Sequence, residues 1–320
     1  MRLFALRGSD RLGAAVASSL NVELDALEER EFSDGEHKSR PLVSVRGEDV
    51  FVLHTLHGGG QSAADRLTRL LFFIATCKEN GAARVTAVTP YLAFMRKDQQ
   101  TKPRDPVTSR YVAQLFDAVG TDMVVTVDVH NVAAFQNGFR HSTLLSLRNA
   151  FLPRIEALAR GGRVVLLSPD TGGMRRVGLL QEAYAAHAHA PVGLAMMEKH
   201  RSGDVVTGEL FAGDVEGAEV FVFDDMIASG GTMVRAAKAC RERGARHVHA
   251  MATHGLMTTT SEVLFAPEID TVTVSDSVPL SFEPGAFGKL EIVSCAPLLA
   301  DAIQRLHAGG SIRRLLNPLP

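Results

Sequence analysis

Apolar residues along this chain fall in short runs, dense in β-branched types, separated by longer segments of helical character. Runs at 3–6, 50–53, 85–89, 124–127, 164–167, 220–223 and 248–252 predict short buried parallel strands. Most are followed by a polar loop and then an amphipathic or Ala-rich stretch. That alternation predicts an α/β fold of doubly wound domains with mainly parallel sheets. The sequence also repeats itself. CKENGAARVTA at 77–87 resembles CRERGARHVHA at 240–250, and VFVL at 50–53 echoes VFVF at 220–223, with a longer loop in the first copy. Each copy reads as strand, loop, helix, Gly stop, strand, so the chain divides into two similar halves. The first copy has His54 and Thr55 where the second has Asp224 and Asp225. The expected boundary lies in the polar stretch 140–149, giving domains 1–145 and 146–302, with the tail 303–320 packing on the first.

Bulk properties narrow the partners. A chain of 320 residues is long enough for two cores, and 46% hydrophobic with 22% charged residues is ordinary for a soluble globular protein. The formal net charge of −2 gives no general case for nucleic acid or an anionic membrane. The longest apolar run, near 70–77, is too short to span a bilayer, and the N-terminus lacks the apolar core of a signal peptide. Cys77, Cys240 and Cys295 are widely spaced, without a metal-ligand or disulfide pattern, which fits a cytoplasmic protein.

Candidate chemistry gathers where the predicted strands end, the position at which open α/β sheets bind ligands. After 220–223 come Asp224 and Asp225, then Ala228, Ser229, Gly230, Gly231 and Thr232, then a helical run at 234–243 that stops at Gly244. Small residues ahead of a helix let several N–H groups converge on a phosphate, and the helix dipole favours its charge. No Lys follows the glycines, so this is not the loop of P-loop NTPases. Paired carboxylates suit neighbouring sugar hydroxyls. Arg96 and Lys97, with Lys102 and Arg104 beyond, can clamp a polyphosphate or form a solvated basic loop. Asp128 and His130 form a possible proton or metal site, or a hydrogen-bonded strand end. Asp170, ahead of Gly172 and Gly173, suits metal-phosphate binding or a plain turn. Lys199 and Arg201 bracket His200 in a stretch, 198–204, that reads as a mobile loop or a basic hairpin tip. Phe32, Asp34, Gly35 and Glu36 mark an early turn.

Taken together these segments resemble the ribose-phosphate diphosphokinases (PRPP synthetases) along nearly the whole chain. FSDGE at 32–36, VRGED at 45–49, the 90–98 loop, VDVH at 127–130, SPDTGG at 168–173, Lys199-His200-Arg201, DDMIASGGT at 224–232, ATHG at 252–255 and SDSVPL at 275–280 occur in the family's order. The resemblance implies a phosphoribosyltransferase-like fold and transfer of the diphosphoryl group of Mg-ATP to ribose 5-phosphate. It implies that Asp224, Asp225 and Ala228, Ser229, Gly230, Gly231 and Thr232 hold ribose 5-phosphate. Arg96 and Lys97 would contact ATP, joined by Phe32, Asp34, Gly35 and Glu36 from a neighbouring subunit. His130 and Asp170 would lie at Mg²⁺, Lys199 and Arg201 would be the catalytic cations, and the chain would form dimers or hexamers. Departures are Ala228 and Ser229 in the sugar-phosphate loop, Lys97 for a usual Gln, Thr101 where an acid is common, the 131–139 segment, and Arg313 in the tail. A phosphoribosyltransferase consuming PRPP, a non-catalytic partner of a true synthetase, and a synthetase with a modified acceptor remain alternatives.

Overall fold

The computed structural model describes residues 1–58, 60–202 and 205–316, apart from the side chains of 199–202, 205–209 and Pro284. The chain divides into two units. Among the described residues, the first comprises Met1–Ser146, Ser277–Pro279 and 295–316; the second comprises Leu147–Asp276 and Leu280–Ser294.

In the first unit, β1 (Arg2–Ala5), α1 (Asp10–Leu20), the hairpin β2 (Leu27–Glu31) and β3 (His37–Pro41), β4 (Asp49–Leu53), α2 (Ala63–Glu79), β5 (Arg84–Thr89), α3 (Thr108–Ala118), β6 (Met123–Val127), α4 (Val132–Gly138) and β7 (Ser142–Leu145) follow in turn. Five strands form a parallel sheet in the order β1-β4-β5-β6-β7. In the second unit come α5 (Arg148–Ala159), β8 (Val164–Ser168), α6 (Met174–Ala188), β9 (Gly193–Ser202), β10 (Val205–Ala212), β11 (Glu219–Ile227), α7 (Gly231–Glu242), β12 (His247–Gly255), β13 (Thr271–Ser275) and β14 (Leu290–Val293). They make a seven-stranded sheet, β10-β9-β8-β11-β12-β13-β14, parallel except for the β9–β10 pair. The chain then returns to the first unit as α8 (Ala296–His307) and α9 (Arg313–Leu316).

The seven apolar runs all become strands. Val50, Phe51, Val52 and Leu53 of β4, and Val220 to Phe223 of β11, are almost fully buried, as central parallel strands covered on both faces must be. Two findings refine the sequence reading. Residues 198–202, read as a mobile loop or a basic hairpin tip, continue β9 and pair with β10, Lys199 opposite Glu209 and Arg201 opposite Val206, which favours the hairpin. The last long helix begins at Ala296, ahead of the tail predicted from 303, because Pro297 lies in its first turn, where the missing N–H is no loss.

The internal repeat extends to individual hydrogen bonds. Ala82 N–H donates to Cys77 O at 3.1 Å, and Ala245 N–H to Cys240 O at 3.0 Å. Gly47 N–H donates to Gly81 O, and Gly217 N–H to Gly244 O, both at 2.8 Å. Lys78 pairs with Asp122 as Arg241 pairs with Asp270, and each aspartate also accepts a strand N–H, from Val85 or Val248. Gly81 and Gly244 share a left-handed φ, +85° and +79°, which ends the helix and starts the next strand. The copies differ at the ligand end. His54 is fully buried, hydrogen-bonded to Ser9 Oγ, and held neutral by burial, which lowers its pKa to about 3. The N-terminus of α2 is closed by a Ser62–Asp65 capping box, whereas α7 opens at Gly230 with no side-chain cap.

Candidate active site

β11 does not end at Phe223. It pairs with β12 as far as Ile227 and Gly255, so Asp224 and Asp225 lie on the strand itself. On the other side β8 pairs only as far as Leu167 opposite Val222. Beyond that point Arg176, from the first turn of α6, reaches the acids. Its Nη1 donates to Asp224 Oδ1 at 2.9 Å and lies 3.5 Å from Asp225 Oδ1. Asp225 N–H also donates to Asp224 Oδ1, at 2.8 Å. Burial, reinforced by the neighbouring Asp225 carboxylate, raises the Asp224 pKa to about 8 against the pull of Arg176. One guanidinium thus faces two carboxylates, and near neutral pH Asp224 tends to keep a proton. Such a pair can both accept from and donate to vicinal hydroxyls.

The loop beyond is built for close approach. Gly230 has φ +86°, and a Cβ there would lie 2.4 Å from Val263 Cβ. Ser261 Oγ donates to Ala228 O at 3.0 Å, fixing the loop from a distant segment. Ala228 and Ser229 are exposed, Gly231 N–H faces Ser229 Oγ at 3.5 Å, and Thr232 Oγ1 accepts from Arg235 at 3.2 Å. With no side-chain cap, the first N–H groups of the 12-residue helix α7 and its positive dipole end favour a phosphate.

The loop after β8 is equally ordered. Gly173 N–H donates to Asp170 Oδ1 at 2.9 Å, and a Cβ at Gly173 would meet Ser168 Oγ at 2.6 Å. Asp170 itself is exposed. Arg176 therefore connects the Asp170 loop, through its own helix, to the Asp224–Asp225 pair. Lys199 and Arg201 belong to the same unit by their backbone on β9; their side chains lie outside the described residues.

The remaining candidates belong to the first unit. Arg96 is exposed and Lys97 half-buried in the loop between β5 and α3. Asn131 Nδ2 donates to Asp98 Oδ2 at 2.6 Å, while its Oδ1 caps α4, so this loop is tied to the segment holding His130. His130 is exposed, and Asp128 before it has a left-handed φ of +37°. That is an unfavourable conformation for a residue with a Cβ, of the kind that collects at functional sites. Phe32, Asp34, Gly35 and Glu36 form the tip of the β2–β3 hairpin. Gly35 turns the chain at φ +91°, Asp34 Oδ1 accepts from Glu36 N–H at 3.1 Å, and Phe32 is 39% exposed beneath the Arg30 guanidinium. Among the described residues, no hydrogen bond or ion pair joins this tip to the Arg96 loop.

For Mg²⁺ the donor set fits a particular mode of binding. Mg²⁺ usually keeps several waters and takes one or two carboxylates plus substrate phosphates. Among the described residues no group of three His, Cys, Asp or Glu forms a protein cage for a metal. The exposed, oriented carboxylate of Asp170 suits a metal arriving with a polyphosphate. The imidazole of His130 is the softer donor of the two.

Two family models match the chain: the N-terminal domain of ribose phosphate pyrophosphokinase over residues 1–120, and a phosphoribosyl synthetase-associated domain over 198–317. The ribose-phosphate pyrophosphokinase of Caldanaerobacter subterraneus subsp. tengcongensis is 34% identical over 99% of this chain and 98% of its own. That of Vibrio parahaemolyticus is 33% identical over 99% of each. The chain belongs to the ribose-phosphate pyrophosphokinase family. Its fold agrees: the crystal structure of phosphoribosylpyrophosphate synthetase from Mycobacterium smegmatis superposes with a TM-score of 0.86 at 31% identity, covering 97% of this chain and 99% of the other.

In this member of the family, sequence reasoning missed the contacts of Arg176 and Asn131. Arg176 lies three residues past Gly173, one helical turn into α6, where a charged residue can face back to the loop. Nothing in the local pattern pairs it with acids 48 residues further on. No helix among the described residues is long and apolar enough to cross a membrane.

Proposed function

We propose that this chain is a ribose-phosphate diphosphokinase, transferring the β,γ-diphosphoryl group of Mg-ATP to the 1-hydroxyl of ribose 5-phosphate to give PRPP and AMP. The observation that carries this reading is the paired Asp224 and Asp225 beside the uncapped N-terminus of α7, within a chain 34% identical over its length to a ribose-phosphate pyrophosphokinase. The acids would orient the ribose hydroxyls. N–H groups of Ala228, Ser229, Gly230, Gly231 and Thr232 would hold the 5-phosphate. The 1-hydroxyl oxygen then attacks the β-phosphorus in line, its bond to the α,β-bridging oxygen breaks, and the hydroxyl proton is lost. Such transfers rest on positioning and charge neutralisation more than on covalent help from the protein.

Arg96 and Lys97 would hold the nucleotide, with Phe32, Asp34, Gly35 and Glu36 supplied by a second copy in a dimer or hexamer. Lys199 and Arg201 would neutralise charge on the transferring group. Mg²⁺ bound with the nucleotide would supply further neutralisation, with Asp170 and His130 the residues to hold it. Three unpaired buried thiols are compatible with a cytoplasmic setting.

The test incubates the protein with Mg-ATP and a panel of pentose phosphates. AMP and PRPP formed in equal amounts from ribose 5-phosphate are expected. Pyrophosphate released from PRPP plus a base would make it a phosphoribosyltransferase. ATP binding without turnover would make it a non-catalytic partner. A better pentose phosphate than ribose 5-phosphate would reassign the acceptor, with Ala228 the position to examine. Lys199→Ala is expected to lower kcat by two to three orders of magnitude, about 3–4 kcal/mol by analogy with loss of an oxyanion donor. Unchanged turnover removes Lys199 from the assignment.

A further inference from the structure

The loop after β5 contains a ring of hydrogen bonds closed on one oxygen atom. Asp105 Oδ2 accepts from Lys97 Nζ at 2.5 Å, Thr101 Oγ1 at 2.8 Å, Lys102 N–H at 3.0 Å and Thr101 N–H at 3.1 Å. Lys97 Nζ also donates to Thr101 Oγ1 at 3.0 Å, and Gln100 Nε2 donates to Asp105 O at 2.8 Å. Two residues with left-handed φ, Phe94 at +65° and Arg104 at +68°, turn the chain at either end of the ring. The Thr108 hydroxyl, in the first turn of α3, lies 3.1 Å from Phe94 O and 3.2 Å from Lys97 O, anchoring the same segment to a rigid element. These donors hold the Asp105 carboxylate below its ordinary pKa, Lys97 foremost. Asp105 supplies the negative charge of the ring, and Thr101 bridges it to the Lys97 ammonium.

We propose that Asp105 is the positioning residue of the nucleotide loop: it fixes the Lys97 ammonium in the arrangement that meets the phosphates of ATP. This rests on the diphosphokinase reading. A free lysine has a four-carbon stem whose rotamer freedom must be lost on binding, and the ring removes that freedom in advance. Of the three ammonium donors, one goes to Asp105 and one to Thr101, leaving one for a phosphate oxygen. Asp105 acts on the nucleotide only through Lys97, so its loss should weaken ATP binding rather than the chemical step.

The experiment compares full-length wild type, Asp105→Asn, Lys97→Gln and the double variant. KM for ATP and kcat are measured with ribose 5-phosphate saturating, and Mg-ATP binding is measured by calorimetry without the sugar. Asp105→Asn is expected to raise KM and Kd for ATP ~10-fold, the scale of one charge-assisted hydrogen bond, with kcat changed less than ~2-fold. In the Lys97→Gln background the same substitution should change either constant by less than ~2-fold. Unchanged KM and Kd in Asp105→Asn overturn the proposal, and so does an equal loss in both backgrounds, which marks a purely structural residue. Should Asp105→Asn fail to fold, Thr101→Ala removes only the bridging hydroxyl and is expected to raise KM for ATP ~3-fold; no change there overturns the proposal. A wild-type chain that binds Mg-ATP but makes no AMP overturns the diphosphokinase reading alone, and calorimetry then decides the role of Asp105. A wild-type chain that binds no Mg-ATP overturns both.

Discussion

Asp224 is the candidate-site residue whose protonation bears on stability. Its pKa stands near 8 in the folded chain against an ordinary 3.8, so the folded state binds more protons than the unfolded state between those values. Stability carried by this group is therefore complete below about pH 4 and is lost as pH rises toward 8. Replacing it by Asn removes the titration. The melting temperature of Asp224→Asn should fall less between pH 5 and 8 than that of wild type, as thermal scans across pH will show; parallel curves would contradict the raised pKa. Gly230 tests the adjoining loop. Alanine there meets both a left-handed φ and the Val263 side chain, with an expected cost of about 2–4 kcal/mol in denaturant unfolding. In the proposed function this loop holds the 5-phosphate, so KM for ribose 5-phosphate should rise with the strain.

At the level of elements, equivalent helices of the two halves do equivalent work with different ends. Cys77 on α2 and Cys240 on α7 are both fully buried, and burial pushes both thiols up to about 12. Neither is a thiolate near neutral pH, so native protein should resist iodoacetamide at these two positions and react at both once unfolded; mass spectrometry of labelled peptides checks this. The strands were legible in their apolar runs, and so was the glycine turn ahead of α7, because glycines and acids cluster there. The β2–β3 hairpin was not legible. LEERE and HKSRP are mostly charged or polar, and the half-buried positions of β3 are His37, Ser39 and Pro41, so burial alternates there without an apolar alternation in the sequence. Residues 198–202 left loop and hairpin tip both open for a similar reason, since strand pairing through the backbone leaves little trace in a polar sequence.

At the scale of the whole molecule, the chain's last long helix belongs to the unit that contains its first. α8 packs on α1, burying Leu299, Ala302 and Ile303 completely. Its C-terminal end is fastened by Arg84, which pairs with Asp49 and donates to Leu306 O at 2.8 Å, and by His307 on Asp49 at 2.7 Å. Leu299→Ala should therefore cost about 3 kcal/mol in urea unfolding, like other cavities at fully buried leucines. A cost near zero would mean that the returning helix adds nothing to the first core.

The amino-acid sequence by itself determined the buried strands, the duplication, the family and the candidate loops at the strand ends. Those depend on local apolar pattern, on residues with special backbone freedom, and on motifs in a fixed order. Only the tertiary structure decided which side chains share charge: Arg176 with Asp224 and Asp225, Asp105 with Lys97, and Asn131 with Asp98. A polar side chain finds its partner by position in space, whereas a hydrophobic run needs only to be buried. Periodicity therefore reveals the sheet, and folding alone assigns the ion pairs around its ligand end.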